Sequence, residues 1–330
     1  MSSGTAALHL SGKALKWNSR DIVLTVPITF VATANTVLYS GAKLGLVDID
    51  PKTLNIDLNI LEKKLKLMQK KGKKVKSLIA VDYAGNPCDW ENIKYLSKKY
   101  NFSVINDNCH AIGSKYKNSF DYAAKYADIV THSYHAVKNI TTGEGGSVLS
   151  KNLKIIDRIK NLRTHGLNYF KNNKKKSFYD MENLGFNYRL TDFQSAIGIS
   201  QLKKINIFVK KRKEIANFYD KAFKKINNII IPPVSKYNSH SYHLYPIQID
   251  FEKINSNKKS FFEYMKKEKV LLQSHYLPIY RHSFYKKKFN IKEYPASENF
   301  YKKQVSIPIY YSLKKKEIVK VIRLIKNFVK

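Results

Sequence analysis

His135-Ala-Val-Lys-Asn-Ile-Thr-Thr-Gly-Glu-Gly-Gly146 follows one apolar, strand-like run, Asp128-Ile-Val-Thr-His-Ser133, and precedes another, Ser147-Val-Leu149. Lys138 thus stands at the mouth of a loop held between elements of one sheet. A lysine so placed can form a Schiff base with an aldehyde cofactor. The small residues Thr141 to Gly146 let backbone approach a ligand closely. Most lysines are simply solvated, so the loop acquires meaning only from its surroundings.

Upstream, short apolar runs alternate with helix-period segments. Ile22–Val26, Leu44–Asp48, Ser77–Val81 and Phe102–Ile105 read as strands. Thr29–Tyr39, about Asn59 to Lys70, and Asp89–Lys99 read as helices. This alternation predicts a three-layer α/β unit with a mostly parallel sheet, whose ligands gather at the strands' carboxyl ends. Asp82, Asp107, Ser133 and Lys138 all fall just after such runs. Beyond Lys151 the texture changes, with a polar insertion at Asn172–Lys176 and one long helical stretch over Thr191–Lys225. After Pro232-Pro233 a smaller α+β unit is expected: strand Leu244–Ile249, helix Ser260–Glu268, strand Val270–Gln273 and a last helix Lys314–Val329. The expected division is a large α/β domain over 1–225, including the long helix, and a small C-terminal α+β domain over 226–330.

Composition narrows the function classes. A chain of 330 residues with 43% hydrophobic content has ample core. The formal charge of +35 raises nucleic acid as a partner. Its lysines are spread in solvent-type runs, however, such as Lys71-Gly-Lys-Lys74 and Lys174–Lys176, and no nucleic-acid-binding signature appears, so none is expected. Cys88 and Cys109 lack disulfide or metal spacing, and no span of about 18 apolar residues is present. A cytoplasmic protein without membrane segment or metal is expected.

The lysine has candidate companions for pyridoxal 5'-phosphate chemistry. Such a site needs an acid for the pyridine nitrogen, an aromatic ring to stack, and a phosphate cup at a helix start. Asp107 is the candidate acid, Phe30 the ring, and Ser3-Gly-Thr-Ala-Ala7 the cup, with Ser133 close to the lysine. Each also has an ordinary reading, as a strand-end cap, core aromatic or turn residue.

These stretches resemble the DegT/DnrJ/EryC1/StrS family of pyridoxal-phosphate-dependent sugar aminotransferases. The resemblance runs in order through Ser2–His9, Pro27–Asn35, Asp48–Pro51 with Asn55–Asp57, Asp82–Pro87, Asp107–Gly113, the lysine loop, Asn187–Asp192 and Ser306–Pro308. Within the family, Arg212–Asp220, His243–Ile247 and His275–Tyr280 look most like the pseudaminic-acid branch, which acts on UDP-linked 4-keto sugars.

The resemblance implies a fold-type I transferase, with Lys138 as Schiff-base residue and Asp107 as partner of the pyridine nitrogen. It implies Gly4, Thr5 and Ser133 at the phosphate, Phe30 on the ring and His110 beside it. Asn187 would reach across a homodimer to the other cofactor. It further implies ping-pong transamination from L-glutamate, releasing 2-oxoglutarate, to the C4 ketone of a UDP-4-keto-6-deoxy sugar.

The chain departs from the family at several points. It opens on the phosphate cup, where family members carry several tens of earlier residues, and a frayed terminus is a poor cup. Asn106 replaces a commonly acidic residue, Cys109 a small one, and Ser11–Arg20 an apolar helix and turn. The alternative expectation is an N-terminally truncated, inactive relative that binds cofactor or a partner subunit without turnover. Dehydratases of the family carry His at the lysine position, so Lys138 speaks against that activity.

Overall fold

The computed structural model describes residues 1–169, 179–234 and 238–330. The insertion expected at Asn172–Lys176 lies outside the described residues.

Ser3 starts α1 (Gly4–Ala14), its hydroxyl accepting Ala6 N–H at 3.0 Å. The expected fraying does not occur. The Met1 amino group donates to Gly146 O at 2.8 Å, and Gly146 N–H returns a bond to Met1 O at 3.0 Å. Strand–helix alternation then follows through β1 (Ile22–Thr25), α2 (Val31–Tyr39), β2 (Lys43–Leu46), α3 (Leu58–Lys70), β3 (Val75–Val81), α4 (Trp90–Tyr100) and β4 (Ser103–Asp107). Local chemistry sets these boundaries. Asp57 caps α3 by accepting from Asn59 N and Ile60 N, and Asn101 ends α4 in the left-handed conformation.

After the short β5 (Lys115–Tyr116) and α5 (Tyr122–Tyr126) come β6 (Ile129–Ser133) and β7 (Gly146–Leu149), with the Lys138 loop between them. The main sheet has the order β2-β1-β3-β4-β6-β7. All its pairings are parallel except β6 with β7. The mostly parallel expectation therefore holds. Asp107 and Ser133 occupy the carboxyl ends of β4 and β6, where an open α/β sheet gathers ligands. Asp107 is the last residue of its strand rather than the one after it.

The chain continues through α6 (Leu153–Leu162) and the pair β8 (Leu167–Tyr169) and β9 (Tyr179–Met181). The single helix expected over Thr191–Lys225 is two, α7 (Asp192–Leu202) and α8 (Ile205–Phe223), interrupted at Lys203-Lys204. Both halves carry helical periodicity, so composition does not mark the break, and only α8 contributes fully buried residues. α7 buries no residue. α8 packs Ile215, Ala216, Tyr219 and Phe223 into the second core.

That core covers a small antiparallel sheet. Its strands are β10 (Ile229–Ile230), then, after β11 (Asn238–Ser239), β12 (Tyr245–Ile249) and β13 (Gln304–Ile307). α9 (Lys258–Lys267), α10 (Pro295–Lys303) and α11 (Lys315–Phe328) complete the element order. The expected strand Val270–Gln273 is only an isolated bridge, Gln273 to Ser306. Asp48, buried at the large sheet, ties the units together by accepting from Ala296 N (2.9 Å) and Ser297 N (3.0 Å) at the start of α10.

Candidate active site

A cavity of about 1030 Å³ opens between the two units. Its lining includes Gly4, Thr5, Phe30, Ser133 and Lys138, drawn from three separate segments. The geometry explains why small residues are required. A Cβ on Gly4 would lie 2.7 Å from Ser133 Cβ, and one on Gly146 would lie 2.5 Å from Ser3 O. The first turn of α1 is thus pressed onto the ends of β6 and β7. The N–H groups of Gly4 and Thr5 find no acceptor among the described residues. With the hydroxyls of Ser3, Thr5 and Ser133 they form a cup of donors at a helix N-terminus, suited to a phosphate.

Lys138 is half-buried, its N–H tied to His135 O at 2.9 Å. Its Nζ lies 3.5 Å from His243 Nε2. Loss of hydration holds its pKa below the ordinary lysine value, while Cys109 and Asp107 pull the other way. A partly deprotonated amine is the form that attacks a carbonyl or accepts a proton.

Asp107 does not line the cavity wall but sits buried behind it. Thr33 Oγ1 donates to its Oδ2 at 2.8 Å and Cys109 N–H to its Oδ1 at 3.3 Å. Behind Asp107 lies Asp82, a fully buried carboxylate. It receives Asn106 Nδ2 (3.2 Å), Asn108 Nδ2 (2.9 Å), Tyr122 OH (2.8 Å), Cys88 N–H (2.8 Å) and Trp90 Nε1 (3.1 Å). Burial still outweighs those five donors and raises its pKa to about 6. Asp82 therefore clamps the two residues flanking Asp107. Asn106, where the family commonly has an acid, is half of that clamp.

His110 is buried and absent from the cavity wall. Its ring lies 4.5 Å from that of His243 and 5.8 Å from that of Tyr276. Ala84 N–H donates to its Nδ1 at 3.3 Å, and its Nε2 meets Tyr276 Oη at 2.8 Å. An accepting Nδ1 leaves the ring proton on Nε2. Burial and the neighbouring Lys138 push its pKa far down, leaving a neutral imidazole.

Phe30 is 55% exposed, its ring toward the cavity and 6.0 Å from Tyr276. Asn187 is exposed, pairs across to Thr164, and is not brought to Lys138. The other expected residues converge around one cavity: Gly4, Thr5, Phe30, Ser133 and Lys138 on its wall, Asp107 and His110 behind it. His243, His275, Tyr276 and Arg212 join them with no role foreseen. Their stretches carry part of the family resemblance, but what they touch depends on packing between the units.

This donor set fits pyridoxal phosphate: an anion cup with free N–H groups, an amine kept from full hydration, a fixed carboxylate and an open aromatic face. Among the described residues no group of three or more His, Cys, Asp or Glu is placed to hold a metal, and no helix is long and apolar enough to cross a membrane.

Comparison with known proteins agrees. The profile of the DegT/DnrJ/EryC1/StrS aminotransferase family matches residues 1–326. A Campylobacter jejuni UDP-4-amino-4,6-dideoxy-N-acetyl-beta-L-altrosamine transaminase is 42% identical over 320 residues, covering 96% of this chain and 81% of its own length. The Bacillus subtilis spore coat polysaccharide biosynthesis protein SpsC is 33% identical over 337 residues, covering 100% and 85%. Among solved structures, Helicobacter pylori PseC, an aminotransferase involved in the biosynthesis of pseudoaminic acid, superposes with a TM-score of 0.90 at 33% identity. That match covers 99% of this chain and 85% of PseC. A Streptococcus pneumoniae chain solved in a PLP-form gives a TM-score of 0.87 at 26% identity, covering 99% and 86%. The chain belongs to the DegT/DnrJ/EryC1/StrS aminotransferase family and is a pyridoxal-phosphate-dependent transaminase.

Proposed function

We propose that this transaminase moves the amino group of L-glutamate to the C4 ketone of a UDP-linked 4-keto-6-deoxy sugar, in surface-polysaccharide or pseudaminic-acid biosynthesis. The observation that carries the reading is the convergence of the donor cup and Lys138 on one cavity, with the buried Asp107 acting electrostatically on Lys138, in a chain 42% identical to a transaminase of that name. The cavity, at about 1030 Å³, is large for a cofactor alone and leaves room for a nucleotide sugar.

In this reading Lys138 holds the cofactor aldehyde, and Gly4, Thr5 and Ser133 hold its phosphate. Phe30 covers the ring, Asp107 pairs with the pyridine nitrogen, and His110 braces the site through Tyr276. When bound, pyridoxal phosphate supplies an electron-withdrawing ring that stabilises negative charge at the donor's α-carbon. With the cofactor bound, Lys138 would act as the base that takes the proton from the donor's α-carbon, a task suited to an amine with a lowered pKa. Release of 2-oxoglutarate would consume one water and amination of the sugar ketone would return one, with Lys138 as the group that moves the proton in both half-reactions.

A homodimer is part of the proposal. α7 buries nothing in the protomer. It presents the apolar side chains of Phe193 (77% exposed), Ile199 and Leu202 to solvent. Covering it with a second copy would bring Asn187, just before α7, toward the other protomer's cofactor. The free cysteines Cys88 and Cys109 suit a cytoplasmic setting. The capped start of α1 supports a formed phosphate cup over the inactive-relative alternative.

The test is an assay of reconstituted enzyme with L-glutamate and UDP-4-keto-6-deoxy sugars. The expected product is the 4-amino sugar with stoichiometric 2-oxoglutarate. Amination of a free keto acid in preference to every nucleotide sugar would overturn the reading.

A further inference from the structure

Arg212 is a buried cation without a counter-ion among the described residues. It projects from α8, and its Nη1 donates to three carbonyls: Tyr242 O (2.9 Å), His243 O (3.2 Å) and Ile309 O (2.8 Å). Asp220, on the same helix, accepts from Tyr245 OH. The two acids lining the cavity are engaged elsewhere, Glu144 with His135 at 3.6 Å and Glu317 with Lys314 N at 2.7 Å. Burial lowers the guanidinium pKa to about 10, so it remains charged at neutral pH.

What stays free is informative. Nε and Nη2 have no acceptor among the described residues, yet neither is a sealed, orphaned atom. The residue lines the cavity and is otherwise buried, so these nitrogens face the cavity. Nη1 lies cis to Cδ, so Nε and Nη2 form the guanidinium edge whose two N–H bonds point the same way. That edge matches the two oxygens of a carboxylate. Arg281 uses it on Glu298 in this same molecule, Nε to Oε1 at 2.9 Å and Nη2 to Oε2 at 2.5 Å.

His243 locates this edge relative to the reacting amine. Arg212 holds its backbone oxygen, and Lys138 Nζ lies 3.5 Å from its ring Nε2. The two cations bracket one residue. We infer that Arg212 binds a carboxylate of the amino-acid donor, through Nε and Nη2, while the donor's amino group lies at Lys138. This rests on the reading of glutamate as donor. The sugar's diphosphate is also an oxyanion, but it hangs from C1, across the ring from the C4 that must meet the amine. An anion site one residue from Lys138 therefore suits the compact donor.

The test compares reconstituted wild type with Arg212→Lys and Arg212→Gln. Glutarate, an unreactive dicarboxylate, and UDP are titrated separately against the absorbance of the bound cofactor, and the glutamate half-reaction is timed by stopped flow. Loss of a two-point charged contact predicts glutarate and glutamate affinities lower by about 30-fold in both variants, with UDP affinity changed less than about twofold. Unchanged glutarate affinity overturns the inference, as does a variant that loses UDP and keeps glutarate. A wild type that binds glutarate weakly and never reacts with glutamate overturns the donor reading itself. That outcome is visible before any variant is compared. Should both variants fail to fold, wild-type holoenzyme is treated with phenylglyoxal and mapped by peptide mass spectrometry. Glutarate, and not UDP, is expected to protect Arg212; equal labelling with and without glutarate contradicts the assignment.

Discussion

Lys138 owes its chemistry to two opposed influences. Burial lowers its pKa, and the nearby Asp107 and Cys109 raise it. The acid limb of the glutamate half-reaction should therefore lie below the ordinary lysine range. Asp107→Asn removes an influence that raises the pKa, so it should move that limb to still lower pH while reducing the maximal rate. A limb shifted upward in a stopped-flow pH series would contradict this. Thr33 offers a milder probe. Thr33→Val deletes the hydroxyl that fixes Asp107 Oδ2 and should weaken cofactor binding by about 10-fold, read by equilibrium dialysis. At this scale the sequence was legible where chemistry sits next to a strand end, as with Asp107, Ser133 and Lys138. Arg212 and His243 were not legible as functional. One acts through carbonyls 30 and 97 residues away, the other through a lysine 105 residues away. Such contacts exist only in the folded chain.

The elements show the same division between local and long-range information. Helices with strong caps appear close to their expected places, as α3 behind Asp57 and α4 behind Asp89. The break between α7 and α8 carries no proline or glycine and separates a helix that buries no residue from one packed into the second core. Val270–Gln273 has strand-like composition but finds only one bridge to β13. The end of β4 depends on the Asp82 clamp. Asp82→Asn turns an acceptor of five hydrogen bonds into a group that also donates, against neighbours that are all donors. Urea unfolding at pH 7 should show a loss of about 2–3 kcal/mol. The pH dependence follows from the raised pKa. The folded state holds the Asp82 proton more tightly than the unfolded chain, so this group's contribution favours folding at low pH. It diminishes as pH rises from near 4 to about 6. In Asp82→Asn that slope should vanish. A retained slope would place the titration elsewhere.

In the whole molecule, the mostly parallel large sheet was legible from alternating periodicities, whereas the exposed apolar residues of α7 are left without cover among the described residues. Phe193→Glu with Ile199→Glu should leave a protein with the 38.3 kDa mass of one chain in sedimentation equilibrium. The unaltered chain should sediment as a species of twice that mass, with exposed apolar side chains of α7 buried between the two copies. Because Asn187 is proposed to serve the other protomer, these changes should also weaken cofactor retention, although neither residue lines the cavity. The central claim is that Lys138 is the cofactor-bearing residue of an aminotransferase. Its most direct test is the visible absorbance spectrum of purified protein incubated with pyridoxal phosphate, before and after L-glutamate. Wild type should gain a band near the visible edge that glutamate converts and 2-oxoglutarate restores, with the cofactor linked to Lys138 after borohydride reduction. Lys138→Ala should show neither the band nor the link. A wild-type protein that takes up no pyridoxal phosphate, or a Lys138→Ala variant with an unchanged spectrum, would contradict the account.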